Sequence, residues 1–134
     1  YHLNELSLGL QESLYAANFH NCHKEGFKRY HDLGVYKIIL PLIDSSELQH
    51  YSQSIIEPLM DYDAEHKTLL FKTVYELVEC DGNLHHLAEK LGQHENTLRY
   101  RFEKISNIIG LNFRSPSHYE QLSMSIKIYI ASQL

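Results

Sequence analysis

A chain of 134 residues, 43% apolar and 22% charged, has room for one domain with a buried core, and its composition excludes disordered, fibrous and low-complexity classes. No apolar run approaches the ~20 residues needed to cross a bilayer and no signal-peptide pattern is present, which excludes a helical membrane protein. The formal net charge of −5 excludes a general coat for polyanions, and two cysteines, Cys22 and Cys80, exclude a disulfide scaffold and point to reduced thiols in the cytoplasm. The chain starts at Tyr1 rather than methionine, so it is expected to be a piece of a longer protein.

Residues 1–25 carry Leu3, Leu6, Leu10 and Leu14 on one helical face, and Gly26 closes that segment. Phe27-Lys28-Arg29-Tyr30 alternates apolar with basic, the pattern of a short strand. Val35 to Leu40 is β-branched and short, and fits either a strand or a helix ending near Pro41. At Asp44-Ser45-Ser46-Glu47 the spacing predicts a helix start, with Asp44 capping a free N–H and Glu47 reaching back. Leu48, Tyr51 and Ile55 form its stripe, and Pro58 is expected to stop or kink it near Glu57. Asp63 is expected to cap a further helix, with Leu70, Val74, Leu77 and Val78 inward and an end at Asp81-Gly82.

The next stretch reads as two short helices about a tight turn. Leu84, Leu87, Ala88 and Leu91 repeat at helical spacing, and Gly92 permits the left-handed backbone that ends a helix. A second helix restarts near Glu95, with Leu98, Phe102, Ile105 and Ile109 as its apolar stripe. Ala88 is small enough for two helices to cross closely. This is a helix-turn-helix over 83–105, in which the second helix enters the DNA major groove. Gly110 suits the capping position after it. A last helix starts at Ser115-Pro116 or at the box Ser117-x-x-Glu120, and Tyr119, Leu122, Ile126, Tyr129 and Ile130 return to the core.

The run Asn83…Ala88…Leu91…His94-Glu95-Asn96-Thr97-Leu98-Arg99-Tyr100-Arg101-Phe102, followed by Ile105 and Gly110-Leu111, resembles the C-terminal helix-turn-helix of the PucR/CdaR family of bacterial transcription regulators. The segment His-x-Asn-Thr-Leu-x-Tyr-Arg is the specific part, and a weaker likeness extends through Asp32-Leu33-Gly34, Pro58-Leu59 and Leu122. The resemblance implies an all-α bundle of six or seven helices over 33–134 and favours helix for Val35 to Leu40. It makes residues 1–32 the tail of an upstream α/β domain, the alternative being a leading helix of the bundle. Any effector would bind upstream, and no cofactor is implied for this chain.

Ten histidines raise a metal hypothesis, but His20 and His23 with Cys22 find no second close ligand pair, and adjacent His85 and His86 point apart. No nucleophile elbow, phosphate-cradling glycine loop or H-E-x-x-H motif is present, so neither a metal site nor an enzyme is expected. Charge is unevenly placed. Residues 1–82 hold six Lys/Arg and thirteen Asp/Glu, a balance of −7, whereas residues 83–134 hold six and four, a balance of +2. On the helix 95–105, Asn96 and Arg99 carry donors and acceptors that match adenine and guanine edges, and Tyr100 can reach a phosphate or sugar. His94 can cap the helix, Thr97 contacts the DNA backbone or packs on the preceding helix, and Lys104 and Arg114 suit phosphates. For Arg101 a phosphate contact competes with an ion pair to Glu89 or Glu79. Glu95 departs from the family pattern, since a carboxylate there repels phosphate while it can accept from cytosine. The expected partner is double-stranded DNA, read by a homodimer or larger assembly. The alternative is a protein–protein module for dimerisation or signal coupling, for which the acidic first half and Glu95 speak.

Overall fold

The computed structural model describes residues 34–133, and these hold six α-helices, one 3-10 turn and no strand. The helices are α1 (Tyr36–Ile39), α2 (Ser46–His66), α3 (Leu70–Glu79), α4 (Leu84–Leu91), α5 (Glu95–Ile109) and α6 (Pro116–Ser132). The readings made for residues 1–32, the strand at 27–30 among them, lie outside the described residues.

Residues 49–126 form one compact unit, and the described residues 34–48 and 127–133 belong to another. In the latter, Tyr36 to Leu42 is helical, with α1 running into a 3-10 turn at Leu40–Leu42 that accommodates Pro41. Tyr36, Ile39 and Leu40 are buried, while Val35, Ile38 and Leu42 stay exposed. The start of α2 is capped one residue later than Asp44: the Ser45 hydroxyl accepts from Leu48 N–H at 3.4 Å and donates to Glu47 at 3.0 Å. Glu47 therefore does not reach back to Asp44. Its own backbone N–H first, then the Ser45 and Ser46 hydroxyls, hold its carboxyl below the usual range.

Pro58 does not stop α2, which runs unbroken for 21 residues. A proline inside a helix costs about 3 kcal/mol through its missing N–H and its clash with the preceding turn. Burial on both sides of it outweighs that cost: Ile55, Ile56 and Leu59 are core residues, each worth about 1.5–3 kcal/mol. The buried face is thus Ser52, Ile55, Ile56 and Leu59, and Tyr51, expected inward, lies 38% exposed. Ser52 is buried without loss because its hydroxyl donates to Ser125 O on α6 at 2.8 Å.

Asp63 is a cap but not a helix start, since it lies within α2. From inside α2 its carboxylate accepts from Leu70 N–H at 2.8 Å and Phe71 N–H at 2.9 Å, and from the Thr68 hydroxyl. The first free N–H groups of α3 are thereby satisfied from the preceding helix. Between them α2 ends in a left-handed residue, Lys67 at φ 55°, with Thr68 N–H returning to Asp63 O at 3.3 Å. A non-glycine residue in that conformation costs about 1–2 kcal/mol.

Helix α3 buries Leu70, Thr73, Val74, Leu77 and Val78 as its spacing predicts. It closes with Asp81 N–H on Val78 O and Gly82 N–H on Leu77 O, at 3.0 and 2.9 Å. Gly82 has φ 78°, and a Cβ there would stand 3.0 Å from the Tyr119 ring, so a side chain at this position is strained and presses on that ring. The ring fills that space, and its burial raises the Tyr119 hydroxyl above its ordinary range. The remaining core of the unit comes from Leu87, Ala88, Leu98, Phe102, Ile105, Leu122 and Ile126. Helix α6 starts at Pro116 rather than at the Ser117 box, with Tyr119 N–H on Ser115 O at 2.9 Å.

Candidate nucleic-acid interface

Helices α4 and α5 form the helix-turn-helix, and each of its corners is built by a local signal. The Asn83 side chain accepts from His86 N–H at 3.0 Å and opens α4. Gly92, at φ 63°, ends it, and Gln93 N–H returns to Ala88 O at 3.0 Å. His94 then caps α5, its Nδ1 accepting from Asn96 N–H at 3.0 Å. Gly110 closes the helix at φ 74°. Leu87 and Ala88 bury against the same core as Leu98, Phe102 and Ile105, whereas Leu84, Leu91 and Ile109 are half-buried. Helix α4 also packs on α3, where Lys90 Nζ meets Glu76 Oε2 at 2.7 Å. That hydrogen bond raises the Lys90 amine above its ordinary range. After α5 the loop folds back over the core, with the Phe113 ring 4.5 Å from that of Phe102.

Burial of Leu98, Phe102 and Ile105 turns the other face of α5 outward. His94, Asn96, Thr97, Arg99 and Tyr100 are exposed, and Glu95, Arg101 and Lys104 are partly exposed. Asn96, Arg99 and Tyr100 thus share one accessible surface at the start of the helix, with 66% of Tyr100 open to solvent. Thr97 faces solvent and does not pack inward against α4. Arg101 makes no ion pair among the described residues, so the expected pair with Glu89 or Glu79 is not formed there. Glu89 instead meets His85 Nε2 at 3.1 Å. Lys104 holds its ammonium 5.8 Å from the Tyr62 ring centroid and 5.9 Å from that of Tyr100, which fixes a flexible side chain in place. Arg114 lies 5.9 Å over the Phe113 ring and shares a cleft with Arg99, Glu103 and Asn107.

Glu95, the residue that departed from pattern, has two partners. Oε1 meets His85 Nδ1 at 3.0 Å and Oε2 meets Arg99 Nη2 at 3.4 Å. His85 therefore sits between Glu89 and Glu95 and links α4 to the first turn of α5. Sequence reasoning treated His85 only as a metal candidate; its spacing of four from Glu89 was the available signal. Among the described residues no group of histidine, cysteine and carboxylate side chains could hold a metal ion.

Residues from outside the helix-turn-helix reach α5 as well. Lys67, Thr68 and Leu69, at the junction of α2 and α3, line a cleft of about 390 Å³ together with Thr97, Tyr100, Arg101 and Lys104. Nothing in the linear sequence marks Lys67, which belongs to the acidic part of the chain.

Comparison with known proteins agrees with this geometry. Residues 70–128 match the family described as the PucR C-terminal helix-turn-helix domain. The chain is 27% identical over 100 residues to the DNA-binding transcriptional activator AdeR of Bacillus subtilis, across 74% of this chain and 24% of that protein. It is 40% identical over 95 residues to an uncharacterized protein of Haemophilus influenzae, across 66% of this chain and 25% of that protein. The chain therefore spans about a quarter of the length of these curated relatives. No solved structure gives a match. Over residues 70–128, α3 to α6, this chain matches the PucR C-terminal helix-turn-helix domain.

Proposed function

We propose that this chain is the DNA-binding part of a cytoplasmic transcription regulator, and that α5 reads sequence in the major groove. The observation that carries the proposal is the division of α5. Leu98, Phe102 and Ile105 anchor one face in the core, which leaves Asn96, Arg99 and Tyr100 accessible together at its start. Asparagine pairs doubly with adenine and arginine with guanine, so this surface can tell base pairs apart. Thr97, Arg101 and Lys104 lie beside it, where phosphates border the groove, and the open Nε2 edge of His94 suits a phosphate at the helix start. Glu95 acts on DNA through Arg99, whose guanidinium it steadies.

One such helix offers few phosphate contacts, so the working form is a homodimer or larger, with two α5 helices about 34 Å apart on an inverted repeat. A small-molecule effector, where the full protein uses one, binds upstream of this domain. The alternative of a protein–protein module has one observation in its favour, the exposed stripe Val35, Ile38 and Leu42 on α1 and the turn after it. That stripe lies in the other unit, outside the one that carries α5. The test is selection of bound sequences by this chain from a random pool of duplex DNA. Enrichment of a motif, single or inverted, supports the proposal; recovery of unselected DNA, or of none, rejects sequence reading.

A further inference from the structure

We propose that the cleft between the α2–α3 junction and α5 is a phosphate-binding site, with Lys67 as a contact to the DNA strand that borders the groove. This rests on the DNA-binding reading above. Lys67, Arg101 and Lys104 bring three cations to one cleft, and among the described residues no carboxylate lines it. In a chain of net charge −5 with thirteen of its seventeen carboxylates in residues 1–82, such a gathering is unexpected at the junction of two acidic helices.

The carboxylate of Asp63, bonded to the lining residue Thr68, is occupied. It accepts from Thr68, Leu70 and Phe71, so its charge is directed into the α3 cap rather than across the cleft. None of the three cations makes a salt bridge among the described residues. Lys104 is oriented by the rings of Tyr62 and Tyr100, and Tyr100 joins the base-reading surface to this cleft. A phosphate backbone running along the flank of α5 would meet Arg101 and Lys104, one helical turn apart, and then Lys67.

Lys67 also occupies a position where lysine is a disadvantage to the fold. Its φ of 55° is one that glycine adopts freely and other residues adopt at a cost. The two effects have opposite signs, which makes Lys67→Gly a clean probe: it relieves the backbone and removes the charge. With the 134-residue chain, Lys67→Gly should leave thermal stability unchanged or raised. It should weaken selected and scrambled DNA alike, by about eightfold at 0.1 M salt, and lower the slope of log affinity on log salt by about 0.9. The loss should shrink as salt approaches 1 M. Lys67→Arg, which keeps the charge, should restore the slope. An unchanged slope in Lys67→Gly, with Arg99→Ala still relaxing sequence choice, would overturn the cleft assignment and leave the reading of α5 intact. Absence of any salt-dependent DNA binding by the unaltered chain would overturn both.

Discussion

The two flanks of α5 use their charges in opposite ways. Toward α4, His85, Glu89, Glu95 and Arg99 satisfy one another, and Lys90 is engaged by Glu76. Toward the α2–α3 junction, Lys67, Arg101 and Lys104 have no acidic partner among the described residues and line an open cleft. Both flanks border the surface proposed to read bases. The difference separates charges paired between the two helices from charges left unpaired, and it explains how a chain of net charge −5 can still present a cationic edge. Net charge is a property of the whole chain; binding depends on which cations the fold leaves unpaired.

The largest effect should come from the cap beneath the cationic flank. Asp63→Ala removes acceptors from Leu70 N–H, Phe71 N–H and the Thr68 hydroxyl, and should cost about 2 kcal/mol in denaturant unfolding. A loss below about 0.5 kcal/mol would mean that water replaces this cap and that the junction is not held by it.

A smaller effect belongs to Lys90 on the other flank. At 49% side-chain exposure its pair with Glu76 is screened by solvent, so Lys90→Met should cost no more than about 1 kcal/mol at neutral pH. The pair raises the Lys90 amine above 10.5, the ordinary value that it has when unfolded. Its contribution is therefore complete below that pH and lost as pH rises through the folded value. The stabilities of Lys90→Met and the unaltered chain should converge once pH exceeds the raised folded value, as followed by thermal unfolding across pH. A gap that persists there would assign the cost of the substitution to packing of the lysine stem instead.

Least costly to the fold is Glu95→Gln. His85 and Arg99 are 73% and 47% exposed, so stability should change by only about 0.5 kcal/mol or less. Its effect should appear on DNA. Affinity for scrambled sequence should rise because a carboxylate leaves the phosphate-facing helix start, and choice at one base pair should relax because Arg99 loses its brace. Reduced affinity for scrambled DNA would show that Glu95 itself donates a favourable contact through its partners, and would erase the contrast between the two flanks.

How far the sequence discloses this arrangement depends on the range of the interaction. The helix-turn-helix was legible because its signals are local: Gly92 and Gly110 at left-handed positions, His94 two residues from the N–H it accepts, and Leu98, Phe102 and Ile105 at helical spacing. Errors arose where a distant contact overrides a local rule. Pro58 reads as a stop or a kink, but core burial at Ile55, Ile56 and Leu59 carries the helix past it. Asp63 reads as the start of its own helix, whereas it caps one that begins seven residues later. Glu95 looks misplaced until His85, ten residues earlier, is brought against it, and Lys67 joins Arg101 and Lys104 only through the fold.

The central claim is that α5 distinguishes base pairs, and Arg99 tests it most directly. The measurement is the ratio of affinities for selected and scrambled duplex DNA, before and after Arg99→Ala, at fixed salt. The account predicts that the substitution lowers the preference for the selected site by about 1–3 kcal/mol and relaxes choice at one base pair. A fall in affinity for both DNAs by the same factor, with the ratio unchanged, would contradict it and reduce Arg99 to a phosphate contact.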